Sequence, residues 1–390
     1  MQAILMNNRY IYADNSATTR LAPEVLEAMM PYLTNEYGNA SSLYSFSRPA
    51  KSALQKARET IANCIGALPE EIFFTSGGTE SNNWVIKGRM MLGKVFTSSI
   101  EHHSILNSLA FCDKYPHIGC GRILSVNKEG VISLKSLETA ISHRVSLVST
   151  MLANNEIGTI EPIQEIAAIA HRYGAACHTD AVQAVGHIPI DVNELGVDFL
   201  SASAHKFRGP KGVGFLYSKQ NVSLENFMDG GQQEFGFRAG TENVASIVGM
   251  ATALKLSCDQ MNKTNLRLGK MVSVFQSIIR EAIPEASFNG DPLHHLPGHI
   301  SLSIAGISGE GLLHFLDLKG IAVSTGAACN SKDTEISHVL KAIRLPVKKA
   351  QGTIRITLGT DNKDEDASVI ARNIIEYYSK VRQTKKTGIK

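Results

Sequence analysis

Residues 201–217, "SASAHKFRGPKGVGFLY", place a lysine, Lys206, behind a histidine and a run of small residues. The apolar stretch Val197, Phe199, Leu200 precedes it, and a Gly/Pro-rich loop follows. An unpaired ammonium is a costly occupant for the end of a buried strand, and burial drives its pKa down. A lysine kept at such a place needs a chemical reason. Working outward, "EEIFFTS" (70–76), "RVSLVSTML" (144–152), "AACHTD" (175–180) and "VDFLSASA" (197–204) read as strands. "TESNNWVIKGRMML" (79–92) and "PIQEIAAIAHRYG" (162–174) read as helices between them, the second ended by Gly174. Strand–helix alternation predicts an α/β domain on a mostly parallel sheet, with ligands at the carboxyl ends of the strands. Polar clusters fall at four such ends: Ser76 to Thr79, Asn154 to Glu156, Asp180 to Gln183 and Ser203 to Lys206.

Composition narrows the class. The chain has 390 residues, 43% hydrophobic and 19% charged, as a soluble globular protein of two or three domains would. A formal charge of +3 is too small to imply a nucleic-acid or membrane-surface partner. No run reaches the roughly 18 apolar residues of a membrane span, and no secretory signal is expected at the N-terminus. The cysteines at 64, 112, 120, 177, 258 and 329 contain no C-x-x-C pair. That spacing suggests neither a zinc site nor a disulfide framework, and a reducing cytoplasm fits it best. No metal site is expected; the neighbouring His102 and His103 would point apart.

Past residue 262 the texture changes. The helical stretch "LRLGKMVSVFQSIIREAI" (266–283) leads to turns, then to the strand "GTIRITLG" (352–359) and a helix "DASVIARNIIEYYSKV" (366–381). Residues 16–261 are expected to form the large domain. Residues 1–15 and 262–390 are expected to form a smaller α+β domain, and "RQTKKTGIK" (382–390) reads as a solvated basic tail.

The chemistry follows from three groups. "TSGGTESNN" (75–83) follows a strand and opens a helix, with Ser76, Thr79 and Ser81 beside free N–H groups: a phosphate cradle, or simply a well-capped helix start. Asp180 ends a strand, where it could hold a protonated ring nitrogen or cap the turn before "AVQAVG". Lys206 ends the next strand. A phosphate, a pyridine nitrogen and an aldehyde would use these three together, and pyridoxal phosphate carries all three. His102 is placed to lie against a ring or move protons, although a bland surface histidine is the alternative. Gln183 and Asn155 could bond a ring hydroxyl, and Ser203 and His205 could complete the phosphate site. Cys329, in the polar run "STGAACNS" (324–331), is a candidate nucleophile. Arg355 would grip a substrate carboxylate; an internal salt bridge is its other reading.

Together "YADNSATT" (12–19), "YGNASS" (37–42), "TSGGTESNN", "EHHSIL" (101–106), "NNEIGTIEP" (154–162), "HTDAVQAVG" (178–186), "SASAHKFRGPKGVG", "FRAGTENV" (237–244), "STGAACNS" and "GTIRITLG" resemble the cysteine desulfurases of the NifS/IscS type, in order, from about residue 10 to 370. The resemblance implies the pyridoxal-phosphate fold type I, a large domain with a mostly parallel sheet flanked by helices plus a smaller α+β domain, and a homodimer. It implies conversion of L-cysteine to L-alanine with sulfur left on an enzyme cysteine as a persulfide, then passed to an acceptor protein. That acceptor would serve iron–sulfur assembly, tRNA thiolation or DNA phosphorothioation, without direct nucleic-acid contact. By motif, Lys206 resembles the Schiff-base lysine, Asp180 the partner of the pyridine nitrogen and His102 the residue stacked on the ring. Gly78, Thr79, Ser203 and His205 match phosphate contacts, and Asn155 and Gln183 match polar contacts to cofactor or substrate. Thr241 matches a residue reaching the neighbouring subunit's phosphate. Cys329 matches the persulfide cysteine, and Arg355 the carboxylate clamp. A selenocysteine lyase or aminotransferase on the same fold is the alternative.

Three departures stand out. "SKQNVSLENF" (218–227) lacks an arginine cluster common in the branch that serves the iron–sulfur scaffold, which leaves the acceptor open. Tyr44 stands where histidine is expected, and His299 where asparagine is common; both lie outside the set that carries the chemistry.

Overall fold

In the computed structural model, residues 9–112, 121–325 and 336–387 are described. A seven-stranded sheet organises the larger part. In spatial order its strands are Ile72–Thr75, Gly214–Ser218, Phe199–Ser203, Ala176–Asp180, Val145–Ser149, Lys94–Ser98 and Arg122–Leu124. Gly214–Ser218 runs antiparallel to both neighbours, and the other adjacent pairs are parallel. The four expected strands are all present. Three were not anticipated: Lys94–Ser98 opens on an exposed lysine, Arg122–Leu124 is half exposed, and Gly214–Ser218 follows the glycine-rich loop.

Both faces of this sheet are covered, as a parallel sheet requires. Adjacent residues point to opposite faces, so Phe74, Leu200 and Phe215 join one core while Phe73, Phe199 and Leu216 join a second with Trp84 and Ile86. The helices Gly78–Met90 and Ile163–Arg172, at their expected places, lie against the strands.

A second sheet, all antiparallel, has the order Ser324–Thr325, Thr353–Thr357, His299–Ser303, Ser287–Phe288. Its core takes Ile300, Leu302, Ile354 and Ile356 together with Ile11 and Ala13 from the start of the chain. The segment Ile11–Tyr12 pairs with Ile321–Ala322. One helix of 39 residues, Val244–Ala282, joins the parts. Asn243 caps it, accepting from Ser246 N–H. Its first turns bury Met250 and Leu254 in the larger core, and its last turns bury Met271 and Phe275 in the smaller. The C-terminal helix runs Asp366–Thr387, so residues 382–387 of the expected solvated tail continue a helix.

Candidate active site

Parallel strands that end on one edge bring their following loops together, and here those loops enclose a cavity of about 300 Å³. Gly78, Thr79, His102, Asn155, Asp180, Gln183, Ser203, His205, Lys206 and Arg355 all line it. Two expected residues do not. Thr241 is exposed, outside the cavity lining, on the approach to the long helix. Cys329 lies outside the described residues.

The helix Gly78–Met90 begins at the cavity with no side-chain cap. The well-capped reading of "TSGGTESNN" therefore does not hold: no side chain takes up its first amides, which leaves them open to an anion. Gly77 adopts φ +147, a backbone state L side chains avoid, and a Cβ there would meet Ser203 Oγ at 3.3 Å. A Cβ on Gly78 would lie 2.4 Å from Val182 Cγ2. Glycine keeps this corner open. Of the three hydroxyls expected at the cradle, only that of Thr79 lines the cavity. Ser81 is turned inward and lies 2.9 Å from Thr75 Oγ1, because its position on the helix faces the sheet. His205 Nδ1 lies 3.1 Å from Thr18 Oγ1. Burial first, and then Lys206, push its pKa down to about 4, so its ring is neutral at pH 7.

Asp180 is 4% exposed and uses both oxygens. Oδ1 accepts from Val182 N–H at 3.0 Å, so the turn-cap reading is correct in part; Oδ2 accepts from Asn82 Nδ2 at 2.7 Å. Asn82 gives its other amide hydrogen to Ser104 Oγ at 2.8 Å. Ser104 Oγ lies 2.8 Å from His102 Nδ1, which also accepts from Ser104 N–H. A backbone N–H donating to Nδ1 fixes the neutral tautomer with its proton on Nε2. Desolvation at the cavity wall lowers the His102 pKa, Asp180 opposes this, and Lys206 adds to it.

Lys206 Nζ donates to the carbonyls of Ser16 and Ala17. Burial, then Arg355, lower its pKa to about 8 against the pull of Asp14 and Asp180. The ammonium thus gives up its proton far more readily than an ordinary lysine. Gln183 Nε2 donates to the same Ser16 carbonyl, at 3.0 Å. Arg355 Nη1 donates to the Asn155 carbonyl at 3.0 Å, and Nη2 to Asp14 at 2.7 Å. The internal salt bridge therefore exists beside an open cavity.

Several residues of this network were not singled out from sequence: Asp14, Asn82 and Ser104. His299, set outside the chemistry above, lies with Nε2 3.1 Å from the Asn155 carbonyl that Arg355 also bonds. It therefore belongs to the support of the site. The signal that could have found Asn82 was its place four residues after Gly78 on the helix that opens at the cavity. Among the described residues no cluster of three or more His, Cys, Asp or Glu could hold a metal, and no helix is long and apolar enough to cross a membrane.

An amine near neutrality, a carboxylate at a strand end, an uncapped helix start and neutral imidazoles form a donor set that fits pyridoxal phosphate. The sequence profile of the aminotransferase class-V family matches residues 11–370. A cysteine desulfurase IscS from Dictyoglomus turgidum is 48% identical over 364 residues, 92% of each chain. A solved NifS-like protein superposes with a TM-score of 0.89 at 35% identity, over 95% of this chain and all of its own. A structure described as SspA in complex with cysteine gives 0.78 at 33% identity, over 90% of this chain and 99% of that one. The chain belongs to the class-V aminotransferase family, among its cysteine desulfurases.

Proposed function

We propose that this protein is a pyridoxal-phosphate-dependent cysteine desulfurase that moves the sulfur of L-cysteine onto Cys329 and releases L-alanine. The observation that carries the reading is the meeting of an uncapped helix start, Asp180, the Lys206 amine and Arg355 in one cavity. Bound pyridoxal phosphate supplies an aldehyde that captures amines and a cationic ring that withdraws electrons from the substrate's α-carbon. The rest is the work of side chains. Gly78, Thr79, Ser203 and His205 hold the phosphate. Asp180, oriented by Asn82 and Val182 N–H, would face the ring nitrogen and hold its proton. Lys206 would hold the aldehyde, and its amine, with a pKa lowered to about 8, is the base at hand for the substrate's α-proton. Arg355 fixes the substrate carboxylate, while Asn155 and Gln183 bond cofactor and substrate. His102, on the cavity wall, would lie against the ring, and its Nε2–H is the proton at hand for the thiol groups.

The balance is L-cysteine plus a protein thiol giving L-alanine plus a protein persulfide. The Cys329 thiolate attacks the substrate sulfur, the carbon–sulfur bond breaks, and the carbon takes up a proton. We further propose a homodimer in which Thr241 reaches the neighbouring subunit's phosphate, a division at residues 16–261 against 1–15 with 262–390, and a cytoplasmic sulfur-acceptor protein. The test is an assay of the cofactor-loaded protein with L-cysteine and a thiol reductant. One alanine should form for each sulfide. A keto acid without sulfide would identify an aminotransferase, and turnover of selenocysteine alone a selenocysteine lyase. Light scattering that gives a monomer would remove the dimer.

A further inference from the structure

Arg355 is the arginine on the cavity wall, and its guanidinium is already engaged on two sides. Its pair with Asp14 is shielded, the two side chains being 10% and 19% exposed. Asp14 does not itself line the cavity; it stands behind the arginine. Its backbone is fixed there: Asp14 bridges to Thr357, and Asn15 Nδ2 donates to the Thr357 carbonyl at 2.7 Å. Ser16 N–H donates to Thr357 Oγ1 at 2.9 Å. Thr357 lies two residues along the same strand as Arg355, so carboxylate and guanidinium ride on one piece of hydrogen-bonded framework.

A guanidinium carries five N–H donors in a rigid fork. Asp14 takes one from Nη2 and the Asn155 carbonyl one from Nη1; Nε is buried without a partner among the described residues. Because the fork is planar, fixing two of its contacts fixes the direction of the rest. We infer that Asp14 is a positioning residue for the substrate carboxylate, turning the unshared donors of Arg355 to receive it. This rests on the proposed role of Arg355 as the carboxylate clamp. Two effects of Asp14 have opposite signs. As a mere counter-charge it would weaken the grip on a second anion, so its loss would tighten binding. As an anchor it holds a long side chain in one orientation, so its loss would loosen binding.

The experiment compares cofactor-loaded parent, Asp14→Ala and Asp14→Asn. The first probe is 3-mercaptopropionate, which has the thiol and carboxylate of cysteine without the amine, measured by calorimetry. The second is cysteamine, which has the thiol and amine without the carboxylate, followed by the visible spectrum. Asp14→Ala should weaken 3-mercaptopropionate about tenfold and leave cysteamine within about twofold. It should raise KM for L-cysteine by a similar factor, with kcat within about threefold. Asp14→Asn keeps an oxygen acceptor for Nη2 and should restore most of the affinity. Tighter binding in Asp14→Ala, equal weakening of both probes, or no rescue by Asp14→Asn overturns the assignment. If the parent makes no alanine yet the two probes behave as described, the desulfurase reading fails and the role of Asp14 stands.

Discussion

Asn82 joins the two sides of the cavity: one amide hydrogen goes to Asp180 Oδ2 at 2.7 Å, the other to Ser104 Oγ at 2.8 Å. Through Ser104 the chain of hydrogen bonds continues to His102. Asn82→Leu keeps the branched shape and removes both donors. Asp180 then loses its strongest partner, and Ser104 is free to turn from His102. We expect kcat to fall by about tenfold to a hundredfold, and cofactor affinity to weaken with it, while far-ultraviolet circular dichroism is unchanged. A kcat within about twofold of the parent would reduce Asn82 to packing.

Lys206 gives a pH signature. Only the neutral amine attacks an aldehyde, and the Lys206 pKa is lowered to about 8. Loading of the apoprotein, followed by the visible absorbance of bound pyridoxal phosphate, should accelerate about tenfold per pH unit at low pH and level off past about pH 8. A lysine at its ordinary value would still be accelerating at pH 9.5. Lys206→Arg should gain no covalent band at any pH.

Glu101 makes a prediction about stability. It is fully buried; Oε1 accepts from Ser98 Oγ and Met151 N–H, and Oε2 has no partner among the described residues. Burial, partly offset by those hydrogen bonds, lifts its pKa to about 8. A folded-state pKa above the unfolded value means that the protonated form stabilises the fold. The contribution is whole below the ordinary 4.5 and is lost as pH rises through about 8. Glu101→Gln, neutral throughout, should show a smaller fall in Tm between pH 5.5 and 8.5 than the parent. Glu161, raised by burial to about 8 as well, remains in both proteins, so the fall shrinks without vanishing. Identical falls would show that Glu101 is ionised in the fold.

Cys329→Ser should retain the bound cofactor and its spectral response to cysteine, yet make almost no alanine, since a hydroxyl is a far weaker nucleophile toward sulfur than a thiolate. After brief exposure of the parent to cysteine without reductant, mass spectrometry should find one added sulfur on the peptide containing Cys329. Cys177 serves as the control: it is fully buried, and burial pushes its thiol pKa upward. An added sulfur there, or full activity in the serine variant, would remove Cys329 from the mechanism.

The residues legible in the sequence sit where local rules act. Asp180, Ser203 and Lys206 lie at or just past the ends of apolar strands, and Gly78 opens a helix, so strand-end geometry alone puts them at one edge. The support behind them obeys no local rule. Asn82 and Asp180 are 98 positions apart, and Asp14 and Arg355 are 341 apart. No hydrophobic period records such a pair. Ser104 and His299 stand in no recognisable motif position of their own and acquire meaning only when loops from different strands meet. The strand Lys94–Ser98 escaped notice because it begins on a charge, and the long helix was anticipated only over its second half.

That helix has a mechanical consequence. Val244–Ala282 is one uninterrupted rod of backbone hydrogen bonds with its two ends rooted in different cores. A cut between residues 261 and 262 would leave each core its own half of the helix, but it would expose unsatisfied amides and carbonyls at the new ends and part the smaller core from Ile11 and Ala13. The cores should therefore melt together, in one calorimetric transition, and a stress applied at either end of the rod should be felt at the other.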